Sequence, residues 1–419
     1  MKRYNMLLVE DAQARILART TPTPIEEVPL LEALGRPVAR DLASDIDISP
    51  FANSAMDGFA VHAADLEGAS RERPVDLEVV AHIGAGSVYD GPVEPGQAVR
   101  IMTGAPMPAA CDSVVKIEDI AVTAGDGSVG SRVAFYAPTK LGSNVRPAGQ
   151  EAQAGQTVMH AGDVVDSAGV GLLASCGHAT VPVRTRPRVG IIATGSELVD
   201  ITEKPGPGKI RNSNSSALAA QALEAGAIPT IYPAAPDDHD LILATVRKAV
   251  AENDFVTSSG GASNGDYDFI TQAVAELGEL IFDRVNMRPG KCQTFGVVEG
   301  TPVLGLAGNP AAAFLGFEVL IRPALRKMQG FTQLARPVTW ATLAQPISSH
   351  EKRREYLRGR VERTEDGGYT AVSFKNQSSA LIGTMHQANC LLVIPEGPQD
   401  LAAGDKIRCL RIDQAEGVQ

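Results

Sequence analysis

Two glycine-rich stretches of this chain have the residues needed to bind an anion through main-chain N–H groups. VTSSGGASNGDYD (256–268) and LGLAGNP (304–310) each follow an apolar, strand-like run. Glycine has no Cβ and adopts positive φ readily, so the main chain can approach a phosphate closely. A proline then suits the first turn of a helix whose positive dipole end faces the same anion. The predicted anion-binding residues are Ser258, Ser259, Gly260, Gly261, Ser263, Gly308, Asn309 and Pro310.

Either loop alone is equally compatible with a simple strand-to-helix turn. Two such loops in one predicted domain favour a binding site. Four carboxylates, those of Glu197, Asp237, Asp238 and Asp266, also follow strand-like runs in this part of the chain. Carboxylates beside phosphate-binding loops are typical of a bridging Mg²⁺. The alternative for Asp237 or Asp238 alone is a helix N-cap.

Basic residues are concentrated in two short segments although the chain is acidic, with a formal net charge of −11. The acidic balance argues against a general nucleic-acid binder, which needs a basic surface. Each basic segment is either a solvated face or a pocket for a small polyanion. The residues concerned are Arg284, Arg288 and Lys291 in one segment and Lys352, Arg353, Arg354, Arg358 and Arg360 in the other.

The elements that must position these residues form a predicted doubly wound α/β domain at residues 183–329. Strand-like runs at 189–195, 228–234, 254–261, 293–298 and 301–308 alternate with helical patterns, the last running from Pro310 to about Lys327. Ligands bind at the carboxyl edge of such a parallel sheet. We therefore expect Glu197, Asp237, Asp266 and both glycine loops at one edge.

The rest of the 419-residue chain indicates three further domains. Residues 47–146 are rich in valine, glycine and proline, with short strand-like segments, and predict a small inserted β domain. Residues 1–46, with helical patterns at 9–20 and 30–42, and residues 147–182 predict an elongated, discontinuous N-terminal domain of mixed character. Residues 330–419 predict an all-β, barrel-like C-terminal domain.

Composition places few other constraints on function. No apolar run is long enough to span a membrane, the amino terminus lacks the apolar stretch of a signal peptide, and the five cysteines have no C-x-x-C spacing. We therefore expect a cytoplasmic protein.

Several motifs, taken in order, resemble the molybdopterin molybdenumtransferase family, which includes the MoeA proteins and the gephyrin E domain. They are SAMDGFA (54–60), RIMTGAPMP (100–108), NVRPAG (144–149), ATGSELV (193–199), GKIRNSNS (208–215), SSGGASNGDYDF (258–269), RPGK (288–291), GLAGNP (305–310) and RREYLR (353–358). The resemblance covers nearly the whole chain.

The resemblance implies a homodimer whose active-site clefts are shared between protomers. It implies insertion of molybdate into adenylylated molybdopterin with release of AMP, on a substrate made by a separate adenylyltransferase. By motif, Glu197, Asp237 and Asp266 would form the acidic, Mg²⁺-linked cluster, with Asp266 the principal metal ligand. Asp57 and Thr103 would reach the partner's site. Arg146, Arg288, Lys291, Arg353, Arg358 and Ser379 would hold the anionic substrates.

The chain departs from the family pattern at several of these motifs. Gln150-Glu151 replaces Glu-Asp after NVRPAG, and Arg288 replaces lysine but keeps the charge. Ala307 replaces a proline and Ala312 a serine, which removes one hydroxyl from the second glycine loop. These changes bear on metal and substrate preference.

Two other functions remain open at the level of sequence. The same α/β fold could carry a molybdopterin adenylyltransferase, although that activity needs only one of the four predicted domains. The chain could also be a non-catalytic scaffold that binds the cofactor and partner proteins.

Overall fold

The computed structural model describes residues 6–261 and 269–416. The first helix, α1 (Val9–Ala18), buries Val9, Ala12 and Ile16 on one face. This face packs in the core of the α/β domain, and the Gln13 side chain donates to the Val319 carbonyl at 2.8 Å. The sequence assigns residues 1–46 to the N-terminal domain, and that domain boundary stays a prediction; in the structure α1 packs against the α/β domain.

Three short strands follow, β1 (Ile25–Pro29), β2 (Leu42–Ala43) and β3 (Asn53–Ser54). The helix predicted across residues 30–42 is wrong, since only Leu30–Ala33 form a single 3₁₀ turn. Gly35 has a φ of +76°, and Pro37 follows it. A positive φ and a proline both stop a helix, so the apolar spacing of this segment is not sufficient to continue it.

The inserted domain is a six-stranded sheet in the order β7-β4-β6-β5-β9-β8. The prediction of a β domain is confirmed. The strand-like sequence at residues 112–122 forms two strands, divided by a 3₁₀ turn at Ile117–Asp119. Apolar side chains pack on both faces, including Phe59 and Phe135, whose rings meet edge to face. The strands are β4 (Gly58–Val61), β5 (Val75–Ile83), β6 (Gln97–Ile101), β7 (Ser113–Lys116), β8 (Ile120–Ala124) and β9 (Arg132–Phe135).

The chain then returns to the N-terminal domain through β10 (Val145–Arg146), β11 (Thr157–Met159), helix α2 (Ser167–Ser175) and β12 (Thr180–Arg184). Strand β10 pairs with β3, β11 with β2, and β12 with β1, all antiparallel. This nested pairing closes the N-terminal domain around the insertion.

The α/β domain contains a six-stranded sheet in the order β16-β13-β17-β21-β20-β18. The first four strands in this order are parallel, whereas β20 is antiparallel to both of its neighbours. Strand β18 follows α5 without an intervening turn motif and was not predicted from sequence. The sheet strands are β13 (Arg188–Ala193), β16 (Ile228–Ile231), β17 (Phe255–Ser259), β18 (Gly278–Arg284), β20 (Cys292–Val298) and β21 (Thr301–Leu306). Three short strands of this region lie outside the sheet: β14 (Leu198–Val199), β15 (Ile210–Arg211) and β19 (Met287–Arg288).

Helices cover both faces of this sheet and give the predicted three layers. Ile191 faces one core and Ile192 the opposite one, as alternation along β13 requires. The Asn212 side chain caps α3 and that of Asp238 caps α4. The helices are α3 (Ser213–Glu224), α4 (His239–Glu252), α5 (Phe269–Leu277), α6 (Pro310–Gly316) and α7 (Arg322–Met328), with a π-helical turn at Phe317–Ile321 joining the last two.

The C-terminal domain is a closed barrel, as predicted. Its five strands follow the order β24-β25-β22-β28-β26, and β26 pairs back to β24. Strand β19 of the α/β domain adds to this sheet beside β24. The elements are β22 (Val338–Leu343), β23 (Ile347–Ser349), β24 (Arg354–Arg363), β25 (Tyr369–Ser373), helix α8 (Gly383–Gln387), β26 (Cys390–Ile394), β27 (Gln399–Leu401) and β28 (Lys406–Arg411).

The last described residues pack against α7. The Glu416 carboxylate is fully buried and forms ion pairs with Arg322 and, at 3.3 Å, with Arg326. Burial by itself raises the pKa of Glu416, but the Arg322 hydrogen bond and the two guanidinium charges together bring it below its ordinary value. No helix within residues 6–261 and 269–416 is long and apolar enough to cross a membrane.

Candidate functional site

The two predicted glycine loops meet at one edge of the α/β sheet. Strands β17 and β21 are parallel neighbours, with Ser259 opposite Leu306, so both loops emerge side by side. The Gly260 N–H donates to the Leu306 carbonyl at 3.2 Å. A Cβ on Gly308 would lie 3.5 Å from the Gly260 Cα. The loops therefore form one continuous main-chain surface.

Glycine is required in the first loop because another loop packs directly against it. Gly260 has a φ of +90°, and a Cβ there would lie 2.6 Å from the Thr194 carbonyl oxygen. Gly261 has a φ of +66°, and its Cβ would lie 2.8 Å from the Thr194 hydroxyl. Both the backbone conformation and the lack of space exclude a side chain.

Asn214, in the first turn of α3, links the two loops. Its amide nitrogen donates to Ser259 Oγ at 2.7 Å and to the Gly308 carbonyl at 2.8 Å. Ser259 thus points toward the loop junction. Ser258 is fully buried within β17, and its hydroxyl has no hydrogen-bond partner among the described residues. Ser258 is therefore placed below the open edge, and its role in substrate binding stays a prediction.

The predicted carboxylates Glu197 and Asp237 lie on two loops at the same edge. The Ser196 N–H donates to Asp237 Oδ2 at 3.2 Å, and the Asp237 N–H donates to Ser196 Oγ at 3.1 Å. The Glu197 carboxylate folds against Gly195, where a Cβ would lie 2.4 Å from Oε2. Both acidic side chains are exposed.

Of the three predicted metal ligands, the structure describes Glu197 and Asp237. Asp266 and Ser263 lie outside the described residues. Among residues 6–261 and 269–416, no group of three or more histidine, cysteine or acidic side chains is placed to hold a metal ion. The assignment of Asp266, Glu197 and Asp237 to Mg²⁺ stays a prediction.

A cavity of about 500 Å³ lies between the α/β domain and the C-terminal barrel. It exists because β19 pairs with β24, which places Arg288 opposite Glu355. Asn309, at the N-cap of α6, and Gly308 form the α/β side of the cavity. The cavity brings together six residues of the predicted set: Arg288, Lys291, Gly308, Asn309, Arg353 and Ser379.

Two acidic residues pair with the cationic side chains of this cavity. Glu351 binds Arg353 with both carboxylate oxygens, at 2.9 and 2.7 Å, and lies 3.2 Å from Arg288 Nη1. Glu355 lies 3.1 Å from the same Arg288 nitrogen. The Arg353 hydrogen bond is the main reason that the pKa of Glu351 falls to about 2.

Arg358 is not among the residues that line the cavity, and its role as an oxyanion ligand stays a prediction. Its side chain is fully buried, and its guanidinium donates to the Ser378 carbonyl at 3.0 Å. Burial lowers its pKa. Gln377 bonds the Arg358 main chain in both directions, and the Ser379 carbonyl accepts from the Ala311 N–H at 2.9 Å. Arg358 therefore shapes the loop that carries Ser379.

Asp57 and Thr103 form a pair on the inserted domain. Asp57 Oδ1 accepts from the Thr103 N–H at 2.7 Å and from its hydroxyl at 2.8 Å. These bonds lower the pKa of Asp57. Arg146 lies opposite Asn53 in the β3–β10 pair and is exposed. No hydrogen bond or ion pair among the described residues joins these three side chains to the cavity of the same chain. Their contribution to a partner's site stays a prediction.

Sequence reasoning missed Asn214, Glu351, Glu355 and Gln377 as site residues. Asn214 lies within GKIRNSNS, so that motif did carry a signal. Nothing in the sequence distinguishes Glu351 from any other glutamate in a basic segment.

Comparison with known proteins agrees with this architecture. Residues 7–177 match the MoeA N-terminal region (domain I and II), residues 190–327 a probable molybdopterin binding domain, and residues 341–411 the MoeA C-terminal region (domain IV). The crystal structure of a molybdopterin biosynthesis MoeA protein from Pyrococcus horikosii superimposes with a TM-score of 0.83 at 29% identity, covering 97% of this chain and 99% of that one. The fold and site thus define a MoeA-type, four-domain protein.

Curated relatives extend the similarity along the whole length. The chain is 34% identical to the molybdopterin molybdenumtransferase of Staphylococcus aureus (strain COL) over 408 residues, which is 97% of this chain and 96% of the relative. It is also 34% identical to that of Bacillus subtilis (strain 168), over 100% of this chain and 96% of the relative. This chain belongs to the molybdopterin molybdenumtransferase family.

Proposed function

We propose that this protein inserts molybdate into adenylylated molybdopterin and releases AMP, giving the molybdenum cofactor. The observation that carries the proposal is the shared position of Gly308 and Asn309. Both line the cationic cavity, and Gly308 is linked through Asn214 to the Ser259 loop. A phosphate-binding edge and an oxyanion pocket are therefore parts of one site.

The phosphate half of the site uses main-chain groups. The loops at Gly260–Gly261 and at Gly308 present backbone that is free of side chains, with the first turn of α6 behind them. Such groups suit a pyrophosphate link between the pterin and AMP. Fixed N–H donors stabilise the charge that develops as the phosphoanhydride bond breaks and AMP leaves.

The molybdate half of the site uses the side chains of Arg288, Lys291 and Arg353, with Ser379 as a hydroxyl donor. Guanidinium groups bind tetrahedral oxyanions through paired, charge-assisted hydrogen bonds. The cavity volume of about 500 Å³ exceeds the needs of one oxyanion and leaves room for part of the pterin. Ala312 lines the same cavity, so its missing hydroxyl alters the polarity of this wall.

Glu197 and Asp237, together with Asp266, would hold Mg²⁺ at the sheet edge. Oxygen donors suit this hard cation, and among the described residues neither Glu197 nor Asp237 takes part in an ion pair. When bound there, Mg²⁺ would neutralise charge on the phosphoanhydride. The protein's own part is to hold the Asp237 carboxylate through the Ser196 N–H.

The proposed enzyme is a cytoplasmic homodimer. Asp57, Thr103 and Arg146 of one protomer would complete the cleft of the other. Its substrate would come from a separate adenylyltransferase, since the chain contains a single α/β unit.

The proposal is tested by giving the pure protein adenylylated molybdopterin, Mg²⁺ and molybdate and measuring AMP release. We expect release that depends on molybdate and is lost in Arg353→Ala. Arg363→Ala, at the far end of strand β24, which begins directly after Arg353, is the matched control. Formation of adenylylated molybdopterin from ATP, with no response to molybdate, would show an adenylyltransferase instead. Tight binding with no turnover under any condition would show a scaffold.

A further inference from the structure

One acidic side chain, beside the cationic cavity, pairs with two of the arginines that line it in the manner of a bound anion. Glu351 places one carboxylate oxygen 2.7 Å from Arg353 Nη2 and 3.2 Å from Arg288 Nη1, and the other 2.9 Å from Arg353 Nε. Its side chain is only 15% exposed. These are the same donors, in the same two-pronged arrangement, that an oxyanion would use.

We propose that Glu351 is a displaceable internal counterion, whose carboxylate leaves Arg353 and Arg288 when molybdate binds. This inference rests on the proposed function, because it takes the cavity as the molybdate site. Without a ligand, Glu351 keeps the two guanidinium groups paired and positioned. The affinity for molybdate is then reduced by the free energy needed to remove the carboxylate.

The local structure explains why Glu351 can leave and Glu355 cannot. Glu351 lies on the segment 350–353, outside the regular strands. Besides Arg288, its carboxylate accepts hydrogen bonds from its own segment. The donors are the N–H of Lys352, the N–H of Arg353 and the guanidinium of Arg353. A local rearrangement therefore frees it. Glu355 is fixed in β24, between Arg288 of β19 and Ile394 of β26.

The charge of Glu351 persists at any pH at which the enzyme works. Arg353 holds the pKa of this carboxyl at about 2. Protonation of Glu351 therefore does not free Arg353 and Arg288 under working conditions, and an incoming anion must displace a charged carboxylate. Competition of this kind lowers the apparent affinity of every anion that uses the same donors by one common factor.

The test compares anion binding by the full-length protein and by Glu351→Gln, using equilibrium dialysis at constant ionic strength. Molybdate and perrhenate serve as probes because both are tetrahedral, with charges of −2 and −1. We expect Glu351→Gln to bind both probes more tightly, by about tenfold or more and by the same factor, as loss of a displaced competitor requires. Glu279→Gln is the control for overall charge, since Glu279 pairs with Arg19 on an exposed surface.

Two results would overturn the inference. Unchanged or weaker binding in Glu351→Gln would show that the carboxylate only organises the arginines. A clearly larger gain for molybdate than for perrhenate would show repulsion through space instead of displacement. If wild-type protein releases AMP in response to molybdate in either case, the proposed function stands while the counterion role fails. If molybdate binding survives Arg353→Ala, the cavity is not the molybdate site and both fail.

Discussion

The amide of Asn214 donates to the Ser259 hydroxyl at 2.7 Å, and the same nitrogen reaches the carbonyl of Gly308. A single side chain thus fixes the spacing of the loops after β17 and β21. A change in that spacing displaces the main-chain donors of both loops together. Because small misplacements of positioning groups reduce rates strongly, Asn214 should matter for turnover more than its small contact area suggests.

Asn214→Asp should lower kcat/KM for molybdate-dependent AMP release by about 10²-fold. The variant keeps the size of the side chain but cannot donate to the Gly308 carbonyl. Asn212→Asp is the matched control, because Asn212 caps the same helix by accepting from Ser215 N–H, and aspartate caps equally well. Equal activity of the two variants would exclude a role for Asn214 in spacing the loops.

Gly260→Ala should abolish AMP release and lower the thermal midpoint. Its φ of +90° adds about 1–2 kcal/mol of backbone strain for alanine, and the new Cβ would collide with the Thr194 carbonyl. Gly404→Ala has the matching strain, with a φ of +97°, but no atom lies within 4 Å of its Cβ. We expect the control to lose stability and keep its activity. A fully active Gly260→Ala protein would contradict the close approach of Gly260 to the Thr194 carbonyl.

Arg358→Met should raise the KM for molybdate more than it lowers kcat. The buried guanidinium donates to the Ser378 carbonyl, so its loss releases the loop that carries Ser379. The substitution removes no side chain that lines the cavity. Arg360→Met, an exposed position on the same strand, is the control for charge. Steady-state kinetics over a range of molybdate concentrations measure the effect. A fall in kcat alone would point to a role other than shaping the pocket.

Glu416→Gln should destabilise the protein by about 3–5 kcal/mol, because it removes the buried carboxylate that pairs with both Arg322 and Arg326. The exposed pair Arg19–Glu279 gives the control, since Glu279→Gln should cost about 1 kcal/mol or less. Urea or thermal unfolding of both variants measures the difference. Equal midpoints would show that Glu416 is not paired in solution.

The contribution of Glu416 should also depend on pH in one direction. Its pKa is lowered on folding, so its stabilisation is fully present above the ordinary glutamate pKa of about 4.3. It is lost as the pH falls through the lower pKa of the folded state. The difference in midpoint between wild type and Glu416→Gln should therefore be constant near neutrality and shrink below about pH 4. A difference that grows on acidification would reverse the assigned sign.

Local chemistry made much of the fold and part of the site predictable. The glycine loops, the Asp238 cap and the all-β character of the C-terminal domain all follow from turn residues and apolar alternation. The cavity depends instead on the pairing of β19 with β24, residues that are far apart in the sequence. For the same reason, burial of Arg358 and insertion of Glu351 among the arginines were not predictable, since both residues appear in the sequence only as members of a charged segment. The 30–42 helix failed because Gly35 and Pro37 outweigh apolar spacing.

The pairing of β19 with β24 also has a consequence for biosynthesis. Arg288 leaves the ribosome well before Arg353, and β24 is held on its other edge by β26, which emerges later still. The α/β domain can therefore expose its nucleotide-binding edge on a nascent chain before the oxyanion cavity exists. A chain that terminates before residue 390 would keep the phosphate half of the site without a formed molybdate half. On the proposed function, translation order would thereby separate binding of the phosphate part of the substrate from binding of molybdate until the barrel has closed.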